Sequence, residues 1–197
     1  MQTARAQRSD AASNRERLLE AALLLLADDR NCSMNDIAGA AGVGRVTLYN
    51  HFDTREALVE AVLLRQLDET EATFARSDAS LTATERLTDC IAASWRSVAR
   101  IEGLMAAASS VLGIERVHQA HERLTDHIEQ IIREGVSSRE FQVAQPTRWL
   151  AEVYFDLVHG AALRQTRRNL AEGHVVQLIT QSMLVLVGAT VTTVSSE

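Results

Sequence analysis

Ser33-Met34-Asn35-Asp36-Ile37-Ala38-Gly39-Ala40-Ala41-Gly42-Val43-Gly44-Arg45-Val46-Thr47-Leu48-Tyr49-Asn50-His51-Phe52 decides how the chain is read. Ser33 stands three residues before the carboxylate of Asp36, a pair that closes a helix start from both sides. Ile37, Ala38 and Ala41 then form one short apolar face, and Gly42 interrupts it. Glycine enters the left-handed region at no steric cost, so Gly42 suits a tight turn. A second helix from Arg45 to Phe52 follows, with Leu48 and Phe52 on one face and Arg45, Val46, Tyr49 and Asn50 on the other. A helix-turn-helix needs a small residue where its helices cross (Ala38), a left-handed turn residue (Gly42) and an apolar lock on the second helix (Leu48). All three occur in the right order.

That arrangement assigns roles. Arg45 fits the paired acceptors of guanine, and Val46 fits a thymine methyl. Ser33, Thr47, Tyr49 and His51 are placed to reach phosphate oxygens, contacts that set register without reading sequence. Arg55 stands at the next helix start, where free N–H groups also attract phosphate.

Working outward, further capping pairs appear at Ser13–Glu16, Asp53–Glu56 and Thr82–Glu85. The spacing predicts an amphipathic helix after the first, carrying Leu18, Leu19, Ala22, Leu23 and Leu26 on one stripe. It predicts others near 35–41, 45–52, 54–76, 83–100, 103–111, 115–134, 146–170 and 174–191, about nine in all. Gly135 and Gly173 are expected as left-handed stops, Pro146 in a first helical turn, and 136–145 as the long loop. The expected fold is all-α: an N-terminal three-helix DNA-binding domain over 1–55, with 1–12 as a flexible arm, and a helical bundle over 56–197. Arg5 and Arg8 on that arm are candidates for the minor groove.

Composition agrees. The chain has 197 residues, 46% hydrophobic and 23% charged, with one proline and nine glycines. This is too little turn chemistry for a many-stranded sandwich or barrel. The net charge is -6, so any affinity for nucleic acid must come from a local arrangement rather than a basic coat. Residues 1–55 hold as many arginines as carboxylates, which leaves the acidic surplus to the rest. Cys32 and Cys90 form no ligand set or disulfide framework, and Cys32 is expected as a packed residue. The polar start of the chain and its short apolar runs predict neither signal peptide nor membrane span; the expected location is cytoplasmic.

Thr47-Leu48-Tyr49-Asn50-His51-Phe52 followed by Arg55-Glu56-Ala57-Leu58 resembles the signature of the tetracycline-repressor (TetR) family, with Asp36-Ile37-Ala38 and Ala41-Gly42-Val43 matching its first-helix pattern. The resemblance covers roughly residues 13–60. It implies a homodimeric, all-helical DNA-binding protein, usually a repressor released from its operator by a small molecule. It also implies that Thr47, Tyr49 and His51 touch the DNA backbone, while Arg45, Val46 and Asn50, joined by Asn35, face bases. Gly44 departs from the pattern: a hydroxyl-bearing or polar residue usually caps the recognition helix there. Gly44 caps at small cost but offers no side-chain contact.

In the second domain Trp95, Met105, His118, Tyr154 and His159 combine apolar bodies with polar tips, the mixture that lines small-molecule cavities. Val98, Ile101, Leu104, Trp149, Val153 and Leu157 share those stripes. Gly160, Ala161 and Leu163, with Leu178, Met183, Leu184, Leu186 and Val187, carry the small and apolar spacing of a four-helix dimer interface, with Arg164 or Arg167 at its rim. The rival reading is a helical metalloenzyme using Glu115/His118 and Asp156/His159, carboxylate–histidine pairs one turn apart. The further bridging glutamates of such a site are not designated, and no nucleophilic triad or phosphate-cradling loop appears. The expectation is therefore a regulator with no cofactor, metal or catalytic residue.

Overall fold

The computed structural model describes residues 2–29, 31–76, 78, 80–168 and 171–189, with side chains from Asp10 onward except at 30, 99–102, 163 and 166–168. The side chains of Arg5, Arg8, Ile101, Leu163 and Arg167 therefore lie outside what is described. The described residues form eight helices and no strand: α1 (Gln2–Asp28), α2 (Met34–Ala41), α3 (Arg45–His51), α4 (Arg55–Phe74), α5 (Ala83–Leu112), α6 (Ile114–Ser137), α7 (Thr147–Arg168) and α8 (Glu172–Leu186). They make two compact units, one of 1–67 with 100–120 and one of 68–99 with 121–197. The helices α4, α5 and α6 each run from one unit into the other.

In the first unit the apolar stripe of α1 closes over the short helices. Leu18, Leu19, Ala22 and Leu26 are buried with Ile37, Ala38, Leu48, Phe52, Leu58, Val62 and Leu63. Each leucine so buried contributes roughly 1.5–3 kcal/mol. Leu23, placed on the same stripe, is only half-buried. The helix also reaches back to Gln2, across the stretch expected as an arm. Ser13, expected to start it, therefore sits mid-helix.

The second unit buries Phe74, Leu87, Ile91, Trp95, Leu124, Ile128, Ile131, Phe141, Leu150, Tyr154, Val158, Ile179 and Met183. Its loop after α6 is tied down at both ends. The N–H of Gln142 donates to Val187 O at 2.9 Å. The carboxylate of Glu140 accepts from the N–H groups of Ala83 and Thr84, both at 3.2 Å, at the start of α5. Burial works against its charge, but the Thr84, Ala83 and Ser138 donors outweigh that and hold the carboxyl below its ordinary range.

Four expectations change. The helices predicted at 83–100 and 103–111 are one, because Gly103 is not a break but a point of close approach. A Cβ there would stand 2.2 Å from Leu26 O and 2.6 Å from Ala27 O on α1. Gly135 is no stop either: it lies inside α6, where a Cβ would stand 2.2 Å from the Phe141 ring, and Arg139 adopts the left-handed backbone instead. Gly173 lies within the first turn of α8. Pro146 precedes α7 and its carbonyl accepts from Leu150 N at 3.1 Å.

Candidate nucleic-acid interface

The turn is built as its residues require. Ser33 Oγ accepts from Asp36 N at 3.2 Å and Asp36 Oδ2 accepts from Ser33 N at 2.8 Å, a complete capping box. The Ser33 side chain, then its backbone N–H, hold the Asp36 carboxyl below its usual range. Gly42 has φ 63° and ψ 36°. Its N–H donates to Gly39 O at 3.1 Å and the N–H of Val43 to Ala38 O at 3.0 Å, the paired bonds of a Schellman end. The chain then enters α3 at Gly44, whose carbonyl accepts from Leu48 N at 3.0 Å but which supplies no side-chain cap.

Two faces of α3 separate as expected. Leu48 and Phe52 are buried, whereas Val46 is 75% exposed and Arg45, Tyr49 and Asn50 are exposed with it. Thr47 and His51 are half-buried on the flanks, and Asn35 is exposed in the first turn of α2. The Arg45 guanidinium lies 5.6 Å from the Tyr49 ring centroid, which aligns the two longest side chains of the face. The exposed surface offers guanidinium and amide donors, a phenol and a branched apolar group on one short helix. That is the chemistry of base edges and phosphates.

Two residues expected at phosphates are hydrogen-bonded within the chain. The Ser33 hydroxyl is engaged with Asp36, accepting from its N–H and donating to Oδ2 at 2.7 Å. Arg55 Nη1 donates to Cys32 O. Both residues line a cavity of about 270 Å³ with Asn31, Cys32, Met34, Ala107, Ser110 and Val111. At α4 the cap is Thr54, whose Oγ1 accepts from Ala57 N at 3.1 Å, rather than Asp53. Cys32 is buried, which raises its thiol pKa despite Arg55 nearby.

Sequence reasoning overlooked two arginines of α1. Arg17 Nη2 donates to Gly42 O at 3.1 Å, and the Arg15 guanidinium lies 5.5 Å from the Phe52 ring centroid. No spacing rule joins residues so far apart in the chain, so no local signal marked them.

In the second unit Trp95 is buried with its indole N–H unpartnered among the described residues. The Tyr154 hydroxyl, fully buried, shares a 2.7 Å hydrogen bond with Ser94 Oγ. His159 faces His121, ring centroids 5.6 Å apart; burial, then the His121 charge, push its pKa down to about 4. Met105 (half-buried) and His118 (exposed) belong to the first unit. Glu115 and Asp156 are exposed, and no three His, Cys, Asp or Glu side chains gather as a metal site among the described residues. The metalloenzyme alternative finds no support there. Met183 and Val187, expected at a dimer interface, are fully buried within this single chain. A side chain with no exposed surface has none to offer a partner. Gly160, Ala161, Leu184 and Leu186 are half-buried, Arg164 is exposed, and Leu178 and Val185 are 43% and 70% exposed on α8. Trp149, grouped above with the pocket stripe, is 47% exposed.

A capped short helix, a left-handed turn and a second helix with one buried and one polar face define a helix-turn-helix protein of all-helical build. Residues 18–62 match the family model of the bacterial regulatory proteins, tetR family. The chain is 39% identical over 64 residues to the HTH-type transcriptional repressor LfrR of Mycolicibacterium smegmatis, a match covering 32% of this chain and 34% of that one. Other curated relatives are likewise matched over about a third of their length or less. Solved structures extend the likeness of fold over most of the chain. A putative TetR-family regulator from Rhodococcus sp. aligns with TM-score 0.76 at 20% identity, covering 89% of this chain and 99% of that one. LfrR in complex with proflavine aligns with TM-score 0.72 at 22% identity, covering 89% and 96%. Among the described residues no helix is long and apolar enough to cross a membrane.

Proposed function

We propose that this chain is a cytoplasmic, homodimeric transcriptional repressor that binds operator DNA and is released by a small molecule. The observation that carries the proposal is α3: Leu48 and Phe52 seat it, and Arg45, Val46, Tyr49 and Asn50 stand exposed behind the Gly42 turn. Residues 1–55 carry the DNA contacts, with Arg45, Val46, Asn50 and Asn35 reading bases and Thr47, Tyr49 and His51 holding phosphates. Ser33 supports them by capping α2, and Arg55 by holding the Cys32 carbonyl. Residues 56–197 carry dimerisation and effector binding.

Trp95, Tyr154 and His159 are the effector contacts we favour in the second unit. An indole N–H without a partner among the described residues and a neutral imidazole give polar points in an otherwise apolar core. LfrR was solved with proflavine and belongs to the same fold, which supports a small organic effector here. The reading assigns the chain no catalysis, cofactor or metal.

Selection from a random pool of duplex DNA tests the proposal. It predicts a two-fold symmetric sequence, since a dimer presents its α3 helices about 34–36 Å apart or a multiple of that. Recovery of no preferred sequence would reject it.

A further inference from the structure

The recognition helix is unusually dependent on its neighbours. It has seven residues, Arg45–His51, too few to hold its own shape in water. Its N-cap, Gly44, makes no side-chain hydrogen bond, and the turn before it contains two glycines. Leu48 and Phe52 bury one face, but buried apolar contacts are not directional and leave rotation about the helix axis weakly fixed.

Two cations on α1 act at the two ends of that helix. Leu18 and Leu19, adjacent to Arg17, are buried, so the Arg17 side chain projects from an anchored point. Its Nη1 lies 3.4 Å from Asn14 Oδ1, which orients the fork, and its Nη2 donates to Gly42 O at 3.1 Å. The guanidinium occupies space that only glycine leaves open: a Cβ on Gly42 would stand 2.7 Å from Nη2. At the other end, Arg15 covers the ring of Phe52, the residue that closes α3.

We propose that Arg15 and Arg17 are positioning residues for DNA reading: from α1 they clasp the recognition helix through the Gly42 carbonyl and the Phe52 ring. Arg17 thereby supplies the polar restraint that Gly44 lacks. This rests on the reading of α3 as the DNA-recognition helix. A helix that can roll keeps its phosphate contacts approximately but loses aligned base contacts, so the clasp governs specificity more than affinity for DNA in general.

The test compares the full-length chain with Arg17→Met, Arg17→Lys and Arg15→Met on the selected operator and on random duplex DNA across a salt series. Arg17→Met is expected to weaken operator binding about tenfold, as misalignment of one base contact would. Arg15→Met is expected to weaken it about threefold, in line with an exposed cation–π contact. Random-DNA affinity changes by less than about twofold and melting temperatures stay within about 2 °C, because both side chains are exposed. Arg17→Lys, which keeps a donor within reach of the carbonyl, recovers most of the loss. An unchanged ratio of operator to random binding would overturn the proposal. So would a salt slope lowered by about two per dimer, which would make Arg17 a phosphate contact. A melting temperature that falls in step with operator binding would overturn it too. A wild-type chain that selects no operator would instead overturn the reading of function, and this inference with it.

Discussion

Gly103 offers the sharpest test of how α5 is held against α1. In the middle of a helix, alanine is favoured over glycine by roughly 0.5–1 kcal/mol, so propensity alone predicts that Gly103→Ala stabilises. The structure predicts the opposite. The new Cβ would stand 2.2 Å from Leu26 O, 2.6 Å from Ala27 O and 2.8 Å from Ala27 Cα. All three are backbone atoms of α1, which cannot swing aside as a side-chain end would. Relief requires the two helices to separate, and overpacking of this kind costs about 1–3 kcal/mol. Subtracting the propensity gain leaves a net loss of up to about 2.5 kcal/mol, or up to roughly 10 °C in melting temperature for a chain of this size. Gly39→Ala is the matched control. Gly39 is also helical, but nothing lies within 4 Å of its added Cβ, so it should gain about 0.5–1 kcal/mol. Thermal unfolding followed by circular dichroism reads both. Equal stabilisation by the two substitutions would refute the close approach of α5 to α1.

Tyr154→Phe should cost about 1–2 kcal/mol in denaturant titration, because the buried Ser94 hydroxyl loses its partner while the ring stays; a neutral result would mean that Ser94 finds another. Glu140 is held below its ordinary carboxyl range in the folded chain, so its contribution to stability is complete above the unfolded value and is lost as pH falls through the folded one. Glu140→Gln should therefore destabilise at neutral pH and flatten the acid limb of the stability profile, and an unchanged limb would count against the cap on α5. Leu178 and Val185 are exposed on α8 and two helical turns apart, so they share a face. Val185→Glu should yield well-folded monomers in sedimentation velocity, whereas persistent dimers would move the interface off that face.

What could be read from the sequence followed the range of the forces involved. The helix-turn-helix was legible because Ser33, Ala38, Gly42 and Leu48 act on neighbours within a turn or two of helix. The capping pairs at Ser33 and Thr82 were legible for the same reason, and both form as boxes. Ser13 shows the limit: the same spacing occurs inside a helix that simply continues. Glycine was ambiguous wherever its role was to admit a distant group. Gly103 makes room for α1 and Gly135 for Phe141, yet each reads locally as a helix break. Apolar stripes identified buried faces but not what buries them. Met183 and Val187 pack into the core of their own chain, while Val185 between them is exposed. The grip of Arg17 on Gly42 was invisible because it joins two elements that only the fold brings together.

Base reading by α3 is measured directly by the sequence logo selected by the wild-type chain beside that selected by Arg45→Ala. Arg45 is exposed in the first turn of α3, with its guanidinium beside Tyr49. A symmetric logo is expected, from which one guanine position in each half-site disappears in the mutant, at a cost of about 1–3 kcal/mol per contact. Identical logos from the two proteins would contradict base reading by α3.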